Sequence, residues 1–152
     1  MDYAYTLQDW LKGINSTSPG TKFDIGADGR AAEYAPNAMI GRDVFDLALY
    51  YYGQSDYSAI KRTNLEQPFA NADPLNTSFS PLYNGNIAAM STNFNDVPVN
   101  GTNIKPLLYA YQYDQLNRLV QMRAFKSSIG FTNVSNIWSS VAVDDFGGRC
   151  CL

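Results

Sequence analysis

The sequence predicts a mostly β fold: antiparallel hairpins stacked into an extended or curled sheet, with long loops. Three observations carry that expectation. Tyrosines alternate with other residues at Tyr109, Tyr111 and Tyr113, and a polar turn follows directly. Tyr, Asn, Thr, Ser and Gly are abundant while charged residues make up only 16% of the chain, a balance that favours strands and turns. The strand–turn–strand pattern then recurs imperfectly, about four times along the chain.

The elements follow in order. Residues 1–15 open with Tyr-x-Tyr, a polar turn, and then Leu11 and Ile14. Residues 16–80 form a loop-rich insert, because STSPGTKFDIGADGRAAEYAPNA and TNLEQPFANADPLNTSFSPLYNG are dense in turn residues. Within it, 42–53 is the long apolar run and reads as a strand. Alternation sets Val44, Asp46, Ala48, Tyr50 and Tyr52 on one face, against the wholly apolar Phe45, Leu47, Leu49 and Tyr51 on the other. A short helix is the alternative, since the spacing of Phe45, Leu49 and Tyr52 also fits one. Residues 81–125 hold a hairpin around Asn100–Gly101, a strand at 107–113, and the best copies of the repeat. Residues 126–152 read as a degenerate terminal copy, completing a single β-rich segment over 1–152.

The repeat is visible on alignment. Residues 3–14, YAYTLQDWLKGI, lie against 111–122, YQYDQLNRLVQM: Tyr3 meets Tyr111, Tyr5 meets Tyr113, and Leu11 meets Leu119. Ile87 and Met90, after the turn Asn84-Gly85-Asn86, repeat the spacing of Leu119 and Met122. Asp145, Gly148 and Arg149 stand as Asp114, Asn117 and Arg118 do. Each copy has a plain physical logic. Tyr-x-Tyr places both rings on one strand face, the Asp bonds amides of the turn, and Gly or Asn tolerates positive φ at its end. A lone hairpin cannot bury its apolar face, whereas stacked copies can.

Tyr113-Asp114-Gln-Leu-Asn117-Arg118-Leu119 resembles the YD repeat of the Rhs/YD-repeat family, roughly Tyr-Asp-x-x-Gly-Arg-Leu, with Asn in place of Gly. YTLQDWLKGINS, SPLYNGNIAAM and YAYQYDQLNRL are likewise similar, in that order, to Bacteroidetes-type Rhs proteins, so the resemblance covers roughly residues 2–125. It implies a structural segment of a shell that encloses, displays or delivers a toxin or effector domain in a longer protein. It also implies a secreted or cell-surface location. The partners it implies are neighbouring repeats of a longer chain, or other copies of this one. Thr6 replaces the Asp in the first copy, the copy at Tyr83 is shortened, and the copy at Asp145 lacks its Tyr. The repeat-defining positions are Tyr111, Tyr113, Asp114, Asn117, Arg118 and Leu119, with Asp114 and Arg118 expected to fix the turn and bridge neighbouring hairpins.

Other functions find little support. The net charge of −3 and the lack of any basic stripe argue against a nucleic-acid surface. No apolar run approaches the roughly 18 residues of a membrane span. MDYAYTLQDW lacks the basic and apolar regions of a signal peptide. The chain has no histidine, which removes the Ser-His-Asp triad and the commonest metal ligand. Asp144–Asp145 and Asp43 with Asp46 point to opposite strand faces and make poor acid–base pairs. Asp24 and Asp28 are the weak calcium candidates of a turn whose twelfth position is Ala35, where an EF-hand needs Glu. Cys150 and Cys151 are adjacent and read as free thiols or an intermolecular pair. No enzyme activity and no cofactor are expected. The alternative function is a stand-alone carbohydrate- or protein-binding module that stacks its ligand on exposed aromatics, with Trp10 and Trp138 as candidates.

Overall fold

The computed structural model describes residues 1–17, 25–26, 28, 39–41, 43–52, 69, 79–94, 98–99, 102–103, 106–127 and 138–140. Among these, the chain forms strands and no helix. The strands are β1 (Tyr3–Tyr5), β2 (Leu11–Ile14), β3 (Phe45–Tyr50), β4 (Ala89–Phe94), β5 (Pro98–Val99), β6 (Thr102–Asn103), β7 (Leu107–Tyr113), β8 (Leu119–Ser127) and β9 (Trp138–Ser140). Seven of them make one open sheet in the order β1-β2-β3-β4-β7-β8-β9, and β5 and β6 form a separate ribbon. All neighbours are antiparallel. The described residues contain no helix long and apolar enough to cross a membrane.

The expected strand at 107–113 is β7, and the expected hairpin around residues 100–101 is the β5–β6 ribbon. The run at 42–53 is a strand rather than a helix, confined to Phe45–Tyr50. Its more deeply buried face is the one that carries the acid: Asp46, Ala48 and Tyr50 are all within 3% of full burial. Register explains this. Ala48 lies opposite Ser91, Tyr50 opposite Ala89, Ala89 opposite Ala110, and Ser91 opposite Leu108. This row of small side chains leaves space for the rings of Tyr50, Phe69 and Phe79, which pack over it with Ala4 and Leu108. Complete burial of Leu108 contributes on the order of 1.5–3 kcal/mol. The Tyr50 hydroxyl reaches Ser91 Oγ at 3.2 Å, so the ring enters the core with its polar end satisfied.

The polar residues of this core are bonded in. Asp46 Oδ1 accepts the Ser16 N–H at 2.9 Å. Asn15 Oδ1 accepts the Asp2 N–H at 2.7 Å, while its Nδ2 donates to Phe45 O at 2.6 Å. Lys12 Nζ donates to Leu49 O at 2.6 Å and lies 4.4 Å from the centre of the Tyr50 ring. The Asn15 and Ser16 bonds lash the segment that follows β2 across the lower end of β3, and Lys12 ties β2 to the upper end of the same strand.

The copy of the repeat at Tyr83–Met90 is not a hairpin. Leu82 donates its N–H to Tyr51 O and Ala88 donates to Tyr50 O, so the residues between them are an excursion on the way into β4. β4 then pairs with β3, far back in sequence. The Asn84-Gly85-Asn86 turn signal is real, but the strand it returns to is not the one before it.

Gly13 marks the tightest point of the sheet. A Cβ there would run into Leu47 O and the ring of Phe69. Gly13→Ala is expected to cost about 1–3 kcal/mol by overpacking. Urea denaturation measures it, and a neutral result would mean that neither Leu47 O nor Phe69 closes on Gly13.

Candidate functional site

The upper end of the sheet gathers the hairpin turns, and its chemistry starts with the β7–β8 turn. Asp114 N–H donates to Arg118 O at 2.9 Å, and Asn117 N–H donates to Asp114 O at 3.0 Å. Asp114 Oδ1 accepts the N–H groups of Leu116 at 2.8 Å and Arg118 at 3.0 Å. Its Oδ2 accepts from Arg118 Nε at 2.7 Å and Nη2 at 2.6 Å, a two-pronged ion pair. Asn117 takes the left-handed conformation at φ 59, and the register shifts by a bulge between Gln112 and Tyr113. The amide of Arg118, then its guanidinium, then the amide of Leu116 hold the Asp114 carboxyl below its ordinary value.

The β1–β2 turn has the same design with different side chains. Thr6 N–H donates to Trp10 O at 2.8 Å, and Asp9 N–H donates to Thr6 O at 3.1 Å. Thr6 Oγ1 accepts from the N–H groups of Gln8 and Trp10 at 3.3 and 3.2 Å. Asp9 sits at φ 60, and the bulge falls between Ala4 and Tyr5. Thr6 therefore stands where Asp114 does, Asp9 where Asn117 does, and Trp10 where Arg118 does.

The bridge between neighbouring elements is not made by Asp114 and Arg118, whose bonds stay within their own turn. It falls to Asn117 and Tyr113. Asn117 Oδ1 accepts from Asn84 Nδ2 at 2.8 Å and Asn86 Nδ2 at 3.2 Å, and the Tyr113 hydroxyl donates to Ile87 O at 3.0 Å. The sequence signal for this was present, as Asn flanks Gly85 on both sides, but the partner lies too far along the chain to be paired by pattern. Tyr111 and Tyr113 share the outer face of β7. Burial raises both phenols, and the neighbouring Tyr113 and Tyr109 add to the rise at Tyr111. Leu119 is exposed at the start of β8.

Trp10 is half-buried. Its ring centre lies 5.2 Å from that of Tyr51 and 6.2 Å from that of Tyr52, and a Cβ on Gly85 would sit 3.1 Å from its six-membered ring. It serves as packing between the first turn and the Tyr83 excursion. The exposed ring of this group is Tyr83, at 78% accessibility, stacked on Tyr52 with centres 5.4 Å apart and planes 22° apart. Trp138 is placed by its backbone in β9, and its side chain lies outside the description.

The lower end is acidic. Carboxylate oxygens of Asp2, Asp28 and Asp43 lie within 4.8 Å of one another, and the Met1 nitrogen is 3.6 Å from Asp43 Oδ1. Of the calcium candidates, Asp28 joins this group and Asp24 lies outside the described residues. Oxygen donors of this kind suit a hard cation such as calcium. Cys150, Cys151 and the copy at Asp145 also fall outside the description.

The Asn117 geometry makes a two-part prediction. Asn117→Ala is expected to cost about 1–2 kcal/mol from the left-handed backbone alone, with the bonds to Asn84 and Asn86 lost in addition. Asn117→Gly removes the same bonds yet relieves the backbone, so its loss is smaller. Chemical denaturation of both variants separates the two contributions, and equal losses would place the whole effect in the bridge.

Compared against protein-family models, curated proteins and solved structures, the chain matches none of them.

Proposed function

We propose that this chain is a structural segment of a hairpin wall of the Rhs/YD-repeat kind, which in a longer protein would enclose, display or deliver a toxin or effector domain. The observation that supports it is the equivalence of two turns far apart in sequence. Thr6–Trp10 and Asp114–Arg118 share their backbone bonds, their left-handed residue and the place of their bulge. A unit used twice in one sheet is what a wall of stacked hairpins is made from. The family resemblance adds the secreted or cell-surface setting and the effector cargo. No catalytic role is assigned to any residue.

A second reading, a carbohydrate- or protein-binding module, is favoured by one observation: Tyr83 stands exposed and stacked on Tyr52. Sugars bind such rings by stacking. On this reading soluble polysaccharides quench tryptophan fluorescence saturably, through Trp10 beside Tyr52, and Tyr83→Ala abolishes the effect. Absence of quenching removes the carbohydrate-binding module.

The wall reading makes the Asp114 turn a stabilising device, and its pH dependence follows. The carboxyl is lowered from 3.8 in the folded chain, so folding favours its ionised form. That contribution is fully present above the unfolded-state value and is lost as pH falls through the lower, folded-state value. Asp114→Asn keeps an acceptor but not the charge. Its melting temperature is expected to lie below that of the wild type at neutral pH, with the gap closing in strong acid. A gap that persists unchanged into strong acid would deny the ion pair its role.

A further inference from the structure

We infer that the outer edge of β8, over residues 119–124, is a docking edge for β1 of a second copy of this chain. The inference rests on the wall reading and extends it to the two ends of this sheet.

The first observation is an uneven edge. β8 pairs with β7 along its length, but β9 covers only Phe125–Ser127 on its other side. Among the described residues, 119–124 have no neighbour on that side. Leu119, Val120 and Met122 are 41%, 45% and 42% exposed, so the strand is bare on its faces as well as on its edge. Ser127 donates its N–H to Pro106 on the β7 side. By alternation Lys126, Ala124 and Met122 point their amides away from β7. Lys126 meets Ser139 of β9, which leaves Ala124 and Met122 aimed outward.

The second observation is what occupies the matching place inside the sheet. β2 is the counterpart of β8, and its outer side is filled: Gly13 and Ile14 pair with Ala48 and Leu47 of β3. In the register of the two turns, Gly13 and Ile14 correspond to Gln121 and Met122. The position bare on β8 is thus one that this fold fills on β2.

The third observation names the occupant. β1 is the opposite edge of the same sheet and pairs only with β2 among the described residues. Asn15 donates to Asp2 O, so Asp2 faces β2, and alternation turns the backbone groups of Tyr3 and Tyr5 outward. Their side chains are 55% exposed. Within the sheet β1 and β8 run in opposite directions, as an antiparallel pair requires. A second copy can therefore lay Tyr3 and Tyr5 opposite Met122 and Val120, clear of β9, which reaches no further than Phe125, with backbone bonds giving affinity and the rings covering the apolar patch. The contact is head-to-tail and does not close, so it builds chains of copies.

The test is size-exclusion chromatography with light scattering on the 152-residue chain across a dilution series. The wild type is expected to show mass rising with concentration. Met122→Pro removes an outward amide while sparing the β7 pairing, and Tyr3→Pro does the same on β1. Each variant is expected to be monomeric alone, and the two mixed are expected to form a dimer, because each keeps the edge the other has lost. Met122→Lys is the companion variant should the proline unfold the chain, as shown by circular dichroism. A wild type monomeric throughout overturns the inference, as does a Met122 variant that still self-associates. A mixture that stays monomeric overturns the head-to-tail contact. If the wild type is monomeric while Asp114→Asn still shows its acid-sensitive loss of stability, the edge inference fails and the wall reading stands.

Discussion

Ala88 holds the upper end of the sheet together. It is fully buried, donates its N–H to Tyr50 O at 2.7 Å, and accepts the Tyr111 N–H at 2.9 Å. One residue thereby ties β3 to β7 just where the excursion through Tyr83 enters β4. It anchors the far side of the bend at Asn84–Asn86, as the Leu82 N–H bond to Tyr51 O anchors the near side. The bend is thereby fixed close enough to the β7–β8 turn for Asn117 to receive both neighbouring amides. A side chain larger than Ala at this fully buried position would have to displace its neighbours, which is why the junction is built from backbone and a methyl group.

The same economy runs through the centre. Ala48, Ala89, Ser91 and Ala110 form the floor of the core, and the bulk comes from rings laid across it. A floor of small residues buries little apolar area per strand, so the sheet relies on Tyr50, Phe69 and Leu108 for its hydrophobic stabilisation. It also brings backbone and polar groups near the core, and these must find partners or cost about 1–3 kcal/mol each. Asp46 with Ser16, Asn15 with Phe45, and Lys12 with Leu49 answer that need across segments far apart in sequence.

That separation explains what the sequence could and could not reveal. The strand at 107–113, the β5–β6 ribbon and the β7–β8 turn were legible because each depends on neighbours a few residues away: tyrosine alternation, Asn-Gly, and an Asp placed four before an Arg. The alignment of 3–14 with 111–122 was legible for the same reason. The pairing of β3 with β4 was not, because no local signal reports a strand's distant partner. Nor was the buried face of β3: an Asp on one face and four apolar residues on the other point outward for the Asp, until Ser16 and the small residues of β4 are in place. The group formed by Asp2, Asp28 and Asp43 likewise comes from three separate segments, and Asp28 alone was visible as a turn residue.

The two equivalent turns show which part of the unit is fixed and which is free. The backbone bonds, the left-handed third residue after the cap and the bulge are common to both. The cap itself differs, since a Thr hydroxyl and an Asp carboxylate each accept two amides, and either serves. The last turn residue differs more, and its surroundings decide it. Arg118 is exposed and faces solvent, where an ion pair with Asp114 holds the turn at small net gain. Trp10 lies beside Tyr51 and beneath Gly85, where a charge would be stranded and an aromatic ring adds packing. Thr6 is buried, and without an arginine to pair, a carboxylate cap there would be a buried charge with no partner. The departures of the first copy from the Tyr-Asp pattern are therefore the substitutions that a turn of this backbone requires when it moves from the open side of the sheet to a packed one.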